Sequence, residues 1–421
     1  LTQYKFNRTL VIFHLSQFLL MWKYNCSTLV FRSNLAFSKF TIMKFGTKAI
    51  HAGAEPDPTT GAIMTPIYQT STYVQASPGV NKGYAYARGK NPTRSALEKN
   101  IAALEDGKYC LCFSSGMGAT DAVIKILRPG DEVITGDDLY GGSYRMFTKV
   151  FAPYGIKFHF INMTDTDNIR KHVNANTKLI WAETPTNPTM QIIDIEACAR
   201  IAKENNIILA VDNTFASPYL QNPLNLGADI VMHSVTKYLG GHSDVVMGAL
   251  VVNDEKLYAD LSFIHNSCGA TPGPMDSFLV MRGIKTLHLR MERHCFNGRK
   301  VAEFLKGHPR ISKIYWPGFE DHPNHAIAMR QMRDYGGMIS IVLRDASIEE
   351  TFKVASSFHV FSLAESLGGV ESLINHPATM THASIPKAER ERVGVVDNLL
   401  RLSVGVEDIE DLIEDLKQAL K

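Results

Sequence analysis

The chain has 421 residues, 45% hydrophobic and 20% charged, with a net charge of +2. That length buries a large core and divides into about two domains, and a near-neutral balance without blocks of like charge gives no reason to expect nucleic acid. Six cysteines, at 26, 110, 112, 198, 268 and 295, form no disulfide framework, and Cys110/Cys112 lacks the two-residue gap of a zinc knuckle, so buried reduced thiols are expected.

The first 54 residues contain no Asp or Glu but seven Lys and Arg. An apolar stretch from Leu10 to Trp22 is shorter than the roughly 20 residues that span a bilayer. An organelle transit peptide, a signal-like segment and an upstream extension of the reading frame all fit. Met43-Lys44-Phe45 resembles an ordinary start and favours the extension, with the transit peptide second. Residues 1–42 are therefore set aside from the fold.

From Gly61 to Pro92 the chain is turn-rich and aromatic, with no persistent period. So long an irregular arm inside a domain is uncommon and is often functional or engaged with a partner. Asn91-Pro92 opens a helix with apolar Leu97, Ile101 and Leu104, stopped at Gly107. Cys110 to Phe113 reads as strand. Ser114-Ser115-Gly116-Met117 then turns into a helix whose free N–H groups can hold an anion, although a plain strand-to-helix turn fits equally well.

Strands and helices alternate thereafter. Glu132–Ile134, Lys157–Ile161, Lys178–Ala182, Ile207–Val211, Asp229–Met232 and Met247–Val252 read as strands, and Asp194–Asn206 as an amphipathic helix. Apolar strands alternating with helices predict a mostly parallel α/β sheet, with ligands at the carboxyl ends of its strands. The polar clusters Asp212-Asn213-Thr214 and Ser234-Val235-Thr236-Lys237 both fall at such ends. Beyond about residue 290–300, helix Val301–Leu305, strand Met338–Leu343, helix Ser347–Phe358 with a Ser347/Glu350 capping box and a last helix through Ile409–Leu420 predict a smaller α+β domain.

Taken alone, Lys237 is a snorkelling surface lysine and Asp212 a turn cap. Together with the turn at Ser115–Met117 they form the set that pyridoxal phosphate requires: an anion site, a carboxylate for the ring nitrogen and an amine for a Schiff base.

The chain from about Phe45 onward resembles the transsulfuration, or cysteine/methionine metabolism, family of fold-type-I pyridoxal-phosphate enzymes. The matching segments include Y-A-Y-A-R-G-K-N-P-T-R, S-S-G-M, D-D-L-Y-G-G-S, E-T-P-T-N-P-T, V-D-N-T-F-A-S-P, H-S-V-T-K-Y-L-G-G-H and L-R-L-S-V-G-V-E-D. The resemblance implies an aspartate-aminotransferase-like α/β fold in three parts: an arm over 43–92 reaching a neighbouring subunit, a cofactor-binding domain over 93–295 and a small domain over 296–421. It also implies a cytoplasmic homotetramer, built as a dimer of dimers with shared sites, that uses pyridoxal 5'-phosphate and small amino-acid substrates and has no metal, nucleic-acid or membrane partner.

The same resemblance assigns roles. Lys237 becomes the Schiff-base lysine and proton shuttle, Asp212 the partner of the ring nitrogen and Tyr140 the stacking residue. Gly116, Met117, Ser234 and Thr236 hold the phosphate, joined by Tyr86 and Arg88 from the neighbour. Arg401 takes the substrate carboxylate, oriented by Asn187 and Ser366. His242, Asp244, His376 and His382 are read as structural.

Glu365 matches family members that act at the γ-carbon, where a carboxylate attracts a distal ammonium, while Gly142 departs from the methionine γ-lyases, which carry Cys there. The expected reaction is cystathionine γ-synthesis, from an O-acylhomoserine and cysteine, with γ-lyase activity possible. Cystathionine γ-lyase is the alternative, with β-lyase, methionine γ-lyase and a non-catalytic homologue behind it.

Overall fold

The computed structural model describes residues 43–421; the extension expected at 1–42 lies outside the described residues. Seven strands, β1 Tyr109–Phe113, β2 Glu132–Gly136, β3 Lys157–Ile161, β4 Thr177–Glu183, β5 Ile208–Asp212, β6 Ile230–Ser234 and β7 Gly248–Val252, form one sheet in the order β1-β7-β6-β5-β4-β2-β3. Strands β2 to β6 are parallel, and β7 runs antiparallel to both β1 and β6.

The apolar strands take this place because both faces are covered. Ile230 and Met232 enter the core beneath the helices Gly116–Ile124 and Glu255–Cys268, while Val231 enters the opposite core against the helix Pro92–Leu104. That alternation is the period-two geometry of a strand.

A second sheet contains β8 Ile311–Tyr315, β9 Met338–Leu343, β10 Ser362–Leu363, β11 Leu373–Asn375 and β12 Leu399–Ser403, in the order β10-β11-β12-β9-β8. It is antiparallel except for β10 beside β11. Ile409–Ala419 covers it with Leu412 and Leu416.

The segment read as a helix at Val301–Leu305 is the end of a 19-residue helix, Leu287–Leu305. Leu287, Met291 and Cys295 enter the core of the first sheet, and Val301, Ala302 and Leu305 that of the second. The expected division near 290–300 thus falls inside a continuous helix.

Caps set the helix starts. Asn91 accepts from the N–H groups of Thr93 and Arg94, Asp194 from Ala197 and Ser347 from Glu350, satisfying donors a helix start leaves free. Among the described residues, 52–91 holds only two isolated bridges, Thr72 with Tyr86 and Ser77 with Val80. No helix of the described residues is long and apolar enough to cross a membrane. One expectation is corrected: Cys268, in the last turn of its helix, is exposed, whereas Cys110, Cys112, Cys198 and Cys295 are buried.

Candidate active site

The parallel strands deliver Glu183, Asp212 and Ser234 to one edge as the last residues of β4, β5 and β6, and Lys237 follows three residues later. Thr214 ties two of these ends together. Its hydroxyl donates to Asp212 Oδ1 at 2.5 Å, its N–H reaches the same oxygen at 3.0 Å, and the Ser234 N–H donates to its Oγ1 at 2.8 Å. Burial raises the Asp212 carboxyl above its ordinary range, and the Thr214 bonds oppose that shift.

Lys237 is half-buried, and its Nζ donates to Ser366 Oγ at 2.8 Å. Desolvation first, and then the Arg401 charge, lower its pKa to about 8, with Glu365 acting against them. An amine in that range exchanges its proton near neutrality, as a surface lysine does not. Ser366 holds φ +105°, a conformation side chains rarely adopt. It turns its hydroxyl toward Lys237 while its carbonyl accepts from Arg401 Nη2 at 3.0 Å.

Arg401, in β12, is 2% exposed. Its Nη1 donates to Asn187 Oδ1 at 2.6 Å, and its buried Nε has no partner among the described residues. Both hydrogen-bond acceptors are neutral, and burial lowers its pKa to about 10. A guanidinium held this way would gain from a carboxylate beside it.

The expected anion site is the helix Gly116–Ile124. Ser115 caps it by accepting from the Gly118 N–H at 3.0 Å, which leaves the Gly116 and Met117 N–H groups outside the intrahelical ladder. A Cβ on Gly116 would stand 3.0 Å from the Ser234 Cβ, so glycine lets this turn approach the end of β6. The Thr236 hydroxyl is engaged with the backbone of Met247, donating to its carbonyl at 3.2 Å and accepting its N–H at 3.0 Å.

Tyr140 precedes the short helix Gly141–Met146, and its ring lies over Gly142, where any Cβ would strike the ring edge. Burial raises its phenol pKa. Its N–H donates to Glu183 Oε2, and the Asn187 N–H donates to Glu183 Oε1, each at 2.9 Å. His382, whose pKa burial lowers to about 4, approaches the Asn187 carbonyl at 2.9 Å through Nε2.

Sequence reasoning missed Glu183 and Thr214 as parts of the site. The signal for Glu183 was the one used for Asp212, a carboxylate ending a buried strand.

Glu365 is exposed beside Ser366 and acts electrostatically on Lys237, Tyr140 and Arg401. The exposed Arg88 donates to Asn266 at 3.4 Å, and its guanidinium lies 5.5 Å from the centre of the half-exposed Tyr86 ring. No hydrogen bond among the described residues joins either to the Lys237 cluster. Two of the residues expected to be structural have local partners here: His242 reaches the Gly240 carbonyl, and His376 reaches Thr379 and the Asp397 carbonyl; the third, Asp244, is exposed.

Pyridoxal phosphate fits this donor set. A near-neutral amine, a carboxylate whose Oδ1 alone is spent on Thr214, and a helix start with two free N–H groups beside a serine hydroxyl all face one strand edge.

A sequence model of the family described as "Cys/Met metabolism PLP-dependent enzyme" matches residues 46–421. A cystathionine beta-lyase of Coxiella burnetii is 54% identical over 376 residues, covering 89% of this chain and 97% of that protein. A cystathionine gamma-lyase of Dictyostelium discoideum is 50% identical over 378 residues, covering 90% and 97%, and a cystathionine gamma-synthase of Mycobacterium bovis is 52% identical over 376 residues, covering 89% and 96%. The crystal structure of metB from Corynebacterium glutamicum superposes with TM-score 0.88 at 48% identity, covering 90% of this chain and 98% of that one. Three reaction names at similar identity leave the specific activity undivided. The chain belongs to the Cys/Met metabolism family of pyridoxal-phosphate-dependent enzymes and has the family's type I fold.

Proposed function

We propose that the protein acts at the γ-carbon of its amino-acid substrate, as a cystathionine γ-synthase joining an O-acylhomoserine to cysteine, with γ-lyase activity on cystathionine as the neighbouring reading. The observation that carries this is Glu365, an exposed carboxylate next to Ser366 whose charge acts on Lys237, Tyr140 and Arg401.

When bound, pyridoxal phosphate supplies the electron sink that lets protons leave carbons next to the substrate amine. The chain's own residues do the rest. Arg401 clamps the α-carboxylate through its fork, with Asn187 and Ser366 fixing the fork's plane. Lys237 would hold the cofactor covalently, and its free amine would move protons between Cα and the side chain. Asp212 would keep a proton on the ring nitrogen. Tyr140 would cover the ring and exclude water. The Gly116 and Met117 N–H groups, with Ser234 and a reoriented Thr236, would hold the phosphate. Glu365 attracts the distal ammonium of cystathionine.

Tyr86 and Arg88 serve a neighbouring copy within a homotetramer, a reading supported by their exposure on an irregular arm. Mixing Lys237→Ala with Arg88→Ala chains should restore activity in hybrids, and an inactive mixture removes the shared site.

A product assay tests the reaction. With O-acetyl- or O-succinylhomoserine plus cysteine, cystathionine should accumulate. With cystathionine alone, cysteine and 2-oxobutanoate are the γ-lyase products. Release of homocysteine and pyruvate from cystathionine, without either γ-reaction, would replace this reading by β-lyase, the activity named for the Coxiella relative.

A further inference from the structure

Glu183 ends β4 as Asp212 ends β5, and the two are register partners on adjacent parallel strands. Both are buried, and among the described residues neither has a cation in hydrogen-bond reach. Among the described residues the Asp212 carboxyl is bonded by Thr214 alone, while Glu183 divides its oxygens between two backbone donors from different segments, Tyr140 and Asn187. Those segments carry the ring cover and the group that orients Arg401. A neutral glutamine would fill the same space without setting a second carboxylate beside Asp212, an arrangement that costs free energy in a low-dielectric site. A carboxyl here therefore needs a reason, and the bonds supply one: in its ionised form it accepts two N–H bonds more strongly than a neutral group does.

We propose that Glu183 is a positioning residue for the family's reaction. When ionised, its carboxyl locks Tyr140 and Asn187, and through Asn187 the Arg401 fork, to the strand end that carries Asp212. The inference rests on the family's cofactor chemistry and not on the choice of γ-carbon reaction.

The surroundings make this lock sensitive to pH. Burial first, and then Asp212 from β5 and Asp138 beyond β2, raise the Glu183 pKa well above the ordinary carboxylate range, with the two N–H bonds opposing. Arg401 on β12 and the Tyr140 phenol also face it, and His233 on β6 acts on Asp212. Protonation of Glu183 as pH falls weakens both bonds at pH values where an exposed glutamate would stay charged.

Glu183→Gln holoenzyme tests the role, assayed with whichever substrate the wild type turns over. Its kcat/KM should fall about 10- to 100-fold, chiefly through KM. Besides the rise set by Lys237, the wild type should show an acid limb above the ordinary carboxylate range, and that limb should be absent in the variant. Thermal stability gives a readout free of substrate. A carboxyl whose folded pKa is raised costs stability increasingly as pH climbs from its unfolded value toward its folded one, so the variant-minus-wild-type Tm should increase from pH 5 to pH 8. Glu183→Asp, which keeps the charge, should keep the limb. A uniform activity loss with the limb intact in Glu183→Gln, parallel Tm curves, or loss of the limb in Glu183→Asp would each overturn the proposal.

Discussion

Arg401 on β12 and Asn187 in the loop after β4 are joined by a hydrogen bond of 2.6 Å, which links the five-stranded sheet to the seven-stranded one at the site. The group proposed to grip the substrate is thus shared by both halves of the molecule, and its orientation reports how they are docked.

Arg401→Lys keeps a positive charge but loses the fork that meets Asn187 and Ser366. We expect KM for the amino-acid substrate to rise about 100-fold, with a smaller effect on kcat. Steady-state kinetics check this, and an unchanged KM would remove Arg401 from the carboxylate site.

Lys237 should give the purified protein its colour. Wild type with pyridoxal phosphate should absorb visible light and lose that band on borohydride treatment, and Lys237→Ala should lack the lysine-bound form. A wild type that stays colourless with added cofactor contradicts the assignment. Since the pKa of the free amine lies at about 8, its basic form grows as pH rises through that value, and proton-transfer-limited turnover should increase over the same interval.

Glu365 raises the Lys237 pKa, against burial and Arg401. Glu365→Gln should therefore shift that rise to lower pH. Its KM for cystathionine, which carries a distal ammonium, should increase about tenfold, while that for an O-acylhomoserine, which lacks one, should change little. Equal effects on both would dissociate Glu365 from the distal group.

Gly142→Cys places a Cβ against the Tyr140 ring edge. The half-exposed ring can swing aside, so Tm should change little while kcat falls at least about tenfold. Full activity with an undisturbed cofactor spectrum would show that the ring's pose is not needed.

The first sheet was legible because its strands are covered on both faces and read as apolar runs such as Ile208–Val211, with chemistry-bearing residues directly after them. Short strands such as β8, whose Ser312 and Lys313 are exposed, give no such run and passed unread, as did the helices Glu255–Cys268 and Pro274–Ile284. Glu183 was hidden in the proline-rich run that follows it. The engagement of Thr236 with Met247 was illegible for another reason: two residues eleven apart become neighbours only when β6 and β7 pair. Cys268 was misjudged because a small thiol is usually buried, whereas this one sits in the last turn of a helix whose outer face meets water.

The helix Leu287–Leu305 sinks one end into each of two cores. A rod of about 28 Å shared in this way makes the cores poor candidates for independent existence: cutting it exposes apolar side chains at both ends simultaneously. Chemical unfolding should accordingly proceed without a stable half-molecule, and proteases should trim the loops long before they release either sheet as a fragment. Relative movement of the two sheets should then be a flexing of this beam and not the swing of two bodies on a slack tether.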